Sequence, residues 1–135
     1  MVSFSDLNWL AILVAAVAFF AAGALWYQPK ILGNRWIKAA GVDPSKASPN
    51  PGIFIGTLVA YFVMAMVLAV IARGVGASSV GEGLVLGLLT GVAFVGAQAW
   101  VNAAFEGRPT DLVLVNGGLG ILGHAIMAVI VTVWT

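Results

Sequence analysis

Charged residues leave four long segments of this chain without any charge, and this spacing restricts the fold more than any other feature. The uncharged segments lie between Asp6 and Lys30, between Lys46 and Arg73, between Glu82 and Glu106, and after Asp111. Each holds about 20 or more mostly apolar residues, the length that a helix needs to cross roughly 30 Å of hydrocarbon. We therefore predict four transmembrane helices over about residues 7–27, 53–72, 83–105 and 112–134, in a single transmembrane domain of residues 1–135.

The composition sets the fold class and excludes several kinds of chemistry. Hydrophobic residues make up 61% of the chain and charged residues 8%, against roughly 45–50% and about 25% in globular domains. The apolar segments are continuous, unlike the short alternating strands of a membrane barrel, so we predict an all-α four-helix bundle. A net charge of +1 provides no basic patch for nucleic acid, and the lack of cysteine excludes disulfides and Cys-based metal sites.

The distribution of basic residues predicts the orientation in the membrane. Residues 28–52 and 106–111 hold five of the six Lys and Arg residues, whereas the opposite side holds only Arg73. Cytoplasmic loops carry the excess of Lys and Arg, so we predict that these two connections are cytoplasmic and that both termini lie outside. No Lys or Arg precedes the first apolar segment, and we therefore interpret it as a retained helix rather than a cleaved signal peptide.

Residues 30–40, between the first and second predicted helices, have the pattern of a short amphipathic interfacial helix. Polar and basic side chains gather on one side of a helical wheel, and apolar side chains on the other. Basic side chains suit anionic headgroups, and tryptophan suits the aromatic belt of a membrane. We expect four residues of this helix to contact lipid headgroups: Lys30, Arg35, Trp36 and Lys38.

Several short motifs resemble those of a known family. They are Asn8-Trp9, Gly23, Trp26-Tyr27-Gln28-Pro29, Leu32-Gly33, Trp36 and Phe105-Glu106-Gly107-Arg108-Pro109. In these motifs, which span almost the whole chain, the sequence resembles the bacterial membrane-protein family of domain of unknown function 1761. The resemblance implies a small four-helix protein of the bacterial inner membrane. It implies no catalytic residues, because the family has no established activity.

Polar residues within the predicted helices are few, and most of them form two stripes. Gln98, Asn102 and Glu106 recur every four residues in the third helix, while Asn116 and His124 share a face of the fourth. A polar group inside a membrane is energetically unfavourable, so each is expected to have a hydrogen-bond partner or a functional role. Two interpretations stay open: the side chains form hydrogen bonds between helices, or they line a polar cavity that binds a small solute or lets it pass.

His124 is the only histidine, and its position is near the middle of the fourth helix. A neutral imidazole there could relay protons or bind a metal or haem. A metal site needs more ligands than this spacing provides, so we favour a histidine that is hydrogen-bonded between helices. We predict no metal and no cofactor.

Glycine gives the clearest periodic pattern. Gly83, Gly87 and Gly91 stand four residues apart in the third helix, and Gly120 and Gly123 lie in the fourth. Small residues at this spacing let two helices approach closely. The pattern leaves open whether the partner is a helix of the same chain or of a second subunit.

The sequence provides no catalytic constellation, and we do not expect an enzyme. It holds no HExxH motif, no phosphate loop and no pair of neighbouring carboxylates within a predicted helix. Our first hypothesis is a structural or interaction protein, a homo-oligomer that assembles through its glycine faces, with membrane lipids and other membrane proteins as partners. The alternative is an oligomeric small-solute or ion transporter or channel lined by polar residues of helices 3 and 4. A third hypothesis is a haem- or quinone-binding subunit that uses His124.

Overall fold

The computed structural model describes residues 2–46 and 50–135, and within these ranges the chain is helical with no strand. The α-helices are α1 (Trp9–Trp26), α2 (Asn34–Ala40), α3 (Pro51–Gly74), α4 (Val80–Thr90), α5 (Ala97–Glu106) and α6 (Thr110–Val133). Short 3-10 turns occur at Phe4–Asp6 and Pro44–Lys46, and π-helical segments at Pro29–Gly33 and Gly91–Gly96. Residues 1 and 47–49 of the predicted domain and of its first connection lie outside the described ranges.

Four helices are long and apolar enough to cross a membrane: α1, α3, the third span Val80–Glu106 and α6. The third span consists of α4 and α5, joined without a break by the π segment Gly91–Gly96. This architecture confirms the predicted all-α fold with four membrane-crossing helices. Each observed end lies within three residues of the position that the charge spacing indicated.

Local signals in the sequence explain where several helices begin and end. Asn50 caps α3 with its side-chain oxygen, and Pro51 occupies the first helical position, where its missing N–H costs nothing. Ser79 and Glu82 form a capping box at the start of α4. Gly107 ends α5 in the left-handed conformation with φ 65°, which favours glycine.

α6 is the central helix of the bundle. It packs against α1, α3 and the third span, whereas α3 and α4 have little contact with each other. In the most apolar 18-residue stretch of α6, 50% of the residues are buried, compared with 11% in the corresponding stretch of the third span. The core therefore forms around α6, and the other three spans leave broad apolar surfaces exposed, as a bilayer-embedded bundle requires.

The core between α1, α3 and α6 consists of tightly packed apolar side chains. Ile12 and Met127 are fully buried, and the ring of Phe19 stacks on Tyr61 with centroids 3.8 Å apart. Gly123 provides room for Phe19, because a Cβ atom at this position would overlap its ring. These contacts hold α1 against both of its neighbours.

The connection after α1 folds back onto the bundle. Gly33 lies so close to the backbone carbonyls of Tyr27 and Gln28 that a Cβ atom would collide with them, which explains the glycine in this motif. The chain then enters α2, which packs against α6. The short helix predicted over residues 30–40 is thus present as the π segment Pro29–Gly33 followed by Asn34–Ala40.

Candidate functional site

A polar groove lies between α5 and α6, beside the turn that joins them. Its volume is about 320 Å³. The groove is lined by Ala99, Asn102, Ala103, Glu106, Arg108, Leu112, Val113 and Asn116. Two charged side chains of opposite sign and two amides thus meet in a recess whose remaining walls are apolar.

The turn between α5 and α6 brings the two charges of the groove together. Gly107 reverses the chain, and the amide of Arg108 donates to the carbonyl of Ala103 at 2.8 Å. Glu106 and Arg108 therefore stand on either side of the turn. Over residues 2–46 and 50–135 neither of them forms an ion pair, with each other or with another residue. Both charges remain available to a bound molecule.

The two amides of the groove are each held by one hydrogen bond. Asn102 accepts from Nε2 of Gln98 at 2.8 Å, and Asn116 accepts from the hydroxyl of Tyr27 at 2.7 Å. Within the described residues the Nδ2 groups of Asn102 and Asn116 donate to no protein group. They provide hydrogen-bond donors for a ligand.

The five residues predicted to line a polar cavity are only partly brought together. Asn102, Glu106 and Asn116 share the groove, and Gln98 is attached to it through Asn102. His124 of α6 lies elsewhere, where it lines a groove between α3 and α4. Arg108 was absent from the predicted set, although it belongs to the same turn motif as Glu106; its proximity to Glu106 in sequence was the available signal.

The hydrogen bonds differ from those expected between the polar stripes. The bond between Gln98 and Asn102 lies within α5, and Nδ1 of His124 bonds to the carbonyl of Gly120 within α6 at 2.9 Å. Asn116 bonds across helices, but to Tyr27 at the end of α1 rather than to the third span. Side chains that bond within their own helix leave the surfaces between helices free for other contacts.

The glycine stripe of the third span packs against α6 of the same chain. A Cβ atom added at Gly83 would lie 2.9 Å from the Cα of Val129, and one added at Gly87 would lie 2.5 Å from the Cα of Ala125. At Gly91 it would lie 2.9 Å from the Cα of Ile121. Backbone therefore meets backbone along the whole of α4, and the partner that the sequence left open is a helix within the chain.

The glycines of α6 also face neighbours within the chain. Gly120 lies against Val95 of the third span, and Gly123 lies against Phe19 of α1. All five glycines predicted to mediate packing are thus used inside the bundle or nearly enclosed by it. The hypothesis that these faces assemble subunits has no exposed glycine surface on which to act.

Two of the four residues expected at lipid headgroups also contact protein. Arg35 forms an ion pair with Asp111 at 2.6 Å, and this hydrogen bond raises the pKa of Arg35. The ring of Trp36 packs edge-on against Tyr27, with centroids 5.7 Å apart. Lys30 and Lys38 are exposed. α2 is therefore fixed to the bundle by one face, and the contact of these four residues with lipid headgroups stays a prediction.

The motifs at the ends of α1 attach this helix to α6. The indole N–H of Trp26 donates to the carbonyl of Val115 at 2.9 Å. At the opposite end, Asn8 caps α1 by accepting from the amide of Ala11, and its Nδ2 donates to the carbonyl of Trp134 at 3.2 Å. Trp26 and Asn8 thus have a structural role, whereas Glu106 and Arg108 have no ion-pair partner in the part of the chain that the structure describes.

Among the described residues no group of three or more His, Asp or Glu side chains is placed to hold a metal ion.

A sequence profile of the family described as "Protein of unknown function (DUF1761)" matches residues 10–132, nearly the whole chain. This match confirms the resemblance seen in the motifs. Neither the curated proteins nor the solved structures contain a significant match to the chain.

Proposed function

The chain belongs to the DUF1761 family of proteins of unknown function, and we propose that it is a multi-pass membrane protein that binds a small solute. The proposed site is the groove between α5 and α6. The solute carries a positive and a negative group, as an amino acid does. This proposal develops the solute-transport alternative raised by the sequence, with binding as its first step.

The observation that carries this proposal is the pair of charges in the groove. Glu106 and Arg108 line the same recess, and neither has an ion-pair partner in the described ranges. A solute with both charges can place its cationic group at Glu106 and its anionic group at Arg108. The free amide N–H groups of Asn102 and Asn116 add donors that fix its orientation.

The packing of the third span favours a binding recess over an open pore within one chain. Gly83 and Gly87 of α4 and Gly91, the first residue of the π segment, bring the backbone into contact with α6 and leave no passage between the third span and α6 over this stretch. Beyond the π segment Gly91–Gly96, α5 and α6 form the polar groove beside their connecting turn. A π segment often marks a functional position in a helix, and here it lies between the tightly packed α4 and this groove.

We further propose that the groove opens toward the cytoplasm of a bacterium, at its inner membrane, with both termini outside. The support is the distribution of charge, because five of the six Lys and Arg residues lie in residues 28–52 and 106–111. Arg108 is itself one of these five. The Arg35–Asp111 pair lies at the same end of the bundle, since Asp111 is in the first turn of α6.

Binding can be tested with the purified protein in nanodiscs of phosphatidylglycerol, a lipid that lacks a cationic headgroup. Each of the twenty common amino acids is added in turn, and the unfolding temperature is followed through the tryptophan fluorescence. A ligand that binds only the folded state raises this temperature, because it stabilises by about 2.7 kcal/mol at a hundredfold excess over Kd. We expect a saturable rise with at least one amino acid, and none with its decarboxylated or N-acetylated form.

Variants of the groove provide the control. Glu106→Gln and Arg108→Gln should each weaken binding at least tenfold, about 1.4 kcal/mol, because each leaves one charge of the solute unpaired. Arg73→Gln, in the last turn of α3 at the other end of the bundle, should bind like the wild type. No response to any amino acid refutes solute binding. If phosphatidylethanolamine in the nanodisc gives the same stabilisation, the zwitterion bound is a lipid headgroup.

A second candidate function, assembly with copies of itself, is supported by the outer surface of α5. Gln98 and Asn102 form an exposed amide pair, and Gln98 lies two turns, about 12 Å, from Glu106. Amides that face hydrocarbon are costly, whereas the same pair of a second copy would complete their hydrogen bonds. Native mass spectrometry should show a dimer that Gln98→Leu weakens and Val101→Leu does not; a wild-type monomer contradicts this candidate.

A further inference from the structure

We infer that the groove between α3 and α4 beside His124 is a second binding site, which takes an apolar molecule with a hydroxyl group, such as a phenol, from the hydrocarbon of the membrane. This site uses residues that the solute groove does not use. The inference requires only that the chain is embedded in a membrane, and it can be tested independently of solute binding.

The groove has the size and lining of a site for one ring or a short chain. Its volume is about 220 Å³, below the roughly 300–1,000 Å³ of pockets that hold drug-sized ligands. It is lined by Val63, Met64, Val67, Leu68, Ile71, Thr90, Phe94 and His124. Val63, Val67 and Phe94 are also exposed on the outer surface, so the groove opens sideways, where a bilayer would place its acyl chains.

His124 brings a polar side chain into this apolar groove. Only 7% of the residue is exposed. Its Nδ1 lies 2.9 Å from the carbonyl oxygen of Gly120. A carbonyl can only accept, so Nδ1 carries the proton, and the neutral imidazole has its lone pair on Nε2.

Nε2 of His124 has no hydrogen-bond partner in the described part of the chain. Nε2 is nevertheless accessible from outside. Among the described residues, Thr132 Oγ1 is the one side-chain nitrogen or oxygen that is both fully enclosed and without a partner, so Nε2, which also lacks a partner, is not fully enclosed. The open surface next to the His124 ring is the groove between α3 and α4. An unpaired acceptor in an apolar wall is destabilising, and a ligand hydroxyl that donates to it would remove this cost.

Thr90, the other polar residue of the groove, also favours a ligand that donates a hydrogen bond. The hydroxyl of Thr90 donates to the carbonyl of Leu86 at 2.8 Å, with a longer contact to that of Gly87. Its hydrogen is therefore used within α4. The groove offers acceptors and no free donor, so it should prefer a ligand that donates, such as a phenol, over an ether of the same size.

The single histidine makes the test specific. Protein labelled with ¹⁵N only at histidine, in nanodiscs, gives ring-nitrogen signals from His124 alone. We expect 4-propylphenol to shift the Nε2 signal saturably and to leave Nδ1 nearly unchanged, because a hydroxyl would donate to Nε2. 4-Propylanisole, which has the same ring and chain but no hydroxyl, should produce less than a tenth of that shift. Equal shifts with the two probes, or none with either, overturn the inference.

Filling the groove provides an independent test that leaves His124 in place. Val67→Trp puts a large ring into the groove from α3, while Val59→Trp changes an exposed residue two turns away that does not line it. The phenol response should weaken at least tenfold in Val67→Trp and persist in Val59→Trp. An unchanged response in Val67→Trp overturns the site. Glu106→Gln should keep the response, which separates this result from the test of the solute groove.

Discussion

The guanidinium of Arg35 and the carboxylate of Asp111 lie 2.6 Å apart, although 76 residues separate them in the sequence. Arg35 belongs to the short helix after α1, and Asp111 to the first turn of the central helix. The ion pair therefore fixes α2 over the end of α6. Both side chains are about half exposed, so the contact positions α2 more than it stabilises the whole bundle.

Breaking this pair should loosen α2 and leave the bundle folded. We expect Arg35→Gln to increase hydrogen exchange of the amides in Asn34–Ala40 severalfold, with little change in the core of α6. The charge-reversed double variant Arg35→Asp/Asp111→Arg should restore much of the protection. High salt should reproduce part of the effect in the wild type, because it screens exposed charges. Unchanged exchange in Arg35→Gln would show that the apolar contacts of α2 suffice.

Gly87 should be the position of α4 least tolerant of a side chain. A Cβ atom there would lie 2.5 Å from both the Cα of Ala125 and the carbonyl oxygen of His124, and neither backbone atom can move easily. We expect Gly87→Ala to destabilise the protein by about 1–3 kcal/mol in reversible unfolding with SDS. Gly81→Ala is the matched control in the same helix, because nothing lies within 4 Å of its Cβ position. It should be neutral or stabilising, by up to about 1 kcal/mol.

Trp26 should contribute through its indole N–H as well as through its ring. Trp26→Phe keeps an aromatic ring near Gly118 but removes the hydrogen bond to the carbonyl of Val115. We expect a loss of roughly 1 kcal/mol in the same unfolding assay. Trp100→Phe, an exposed tryptophan with no hydrogen bond among the described residues, should change stability by much less. Equal effects of the two changes would argue against the hydrogen bond.

Thr132 is a position where an apolar substitution should stabilise the protein. It is 1% exposed, and its hydroxyl is enclosed without a hydrogen-bond partner among the residues that the structure describes. Thr132→Val replaces the hydroxyl by a methyl group of similar shape and should raise the free energy of unfolding by about 1 kcal/mol. Thr57→Val is the comparison, because that hydroxyl donates to the carbonyl of Ile53 at 2.7 Å. A Thr132→Val variant less stable than the wild type would show that its hydroxyl does form a bond.

The spans were predictable from the sequence because the bilayer sets their length locally. A helix that crosses hydrocarbon excludes charge over about 20 residues, and Asp6, Lys30, Lys46 and Arg73 alone delimit the first two spans. Caps such as Asn50 act within one turn and are equally local. The π segment Gly91–Gly96 was not predicted, since its sequence resembles the rest of an apolar helix.

The contacts between helices were harder to predict because they depend on the rotation of each helix about its axis. The four-residue spacing of Gly83, Gly87 and Gly91 predicted close packing, but spacing alone contains no information about the partner. Tyr27 and Asn116 meet across 89 residues, and no local pattern indicates this pair. Asn102, Glu106 and Asn116 were predicted as neighbours because a short turn connects their helices, which limits the possible arrangements.

The central position of α6 has a consequence for how a cell makes this protein. The ribosome releases α1, α3 and the third span into the membrane before α6 is synthesised, yet the third span packs mainly against α6, and the core between α1 and α3 is completed by α6. Until α6 is inserted, Phe19 can stack on Tyr61 of α3 but lacks Gly123, and the glycines of α4 have no final partner. Completion of the bundle is therefore delayed until late in translation, and during that interval lipid covers the faces of the first three spans that later contact α6.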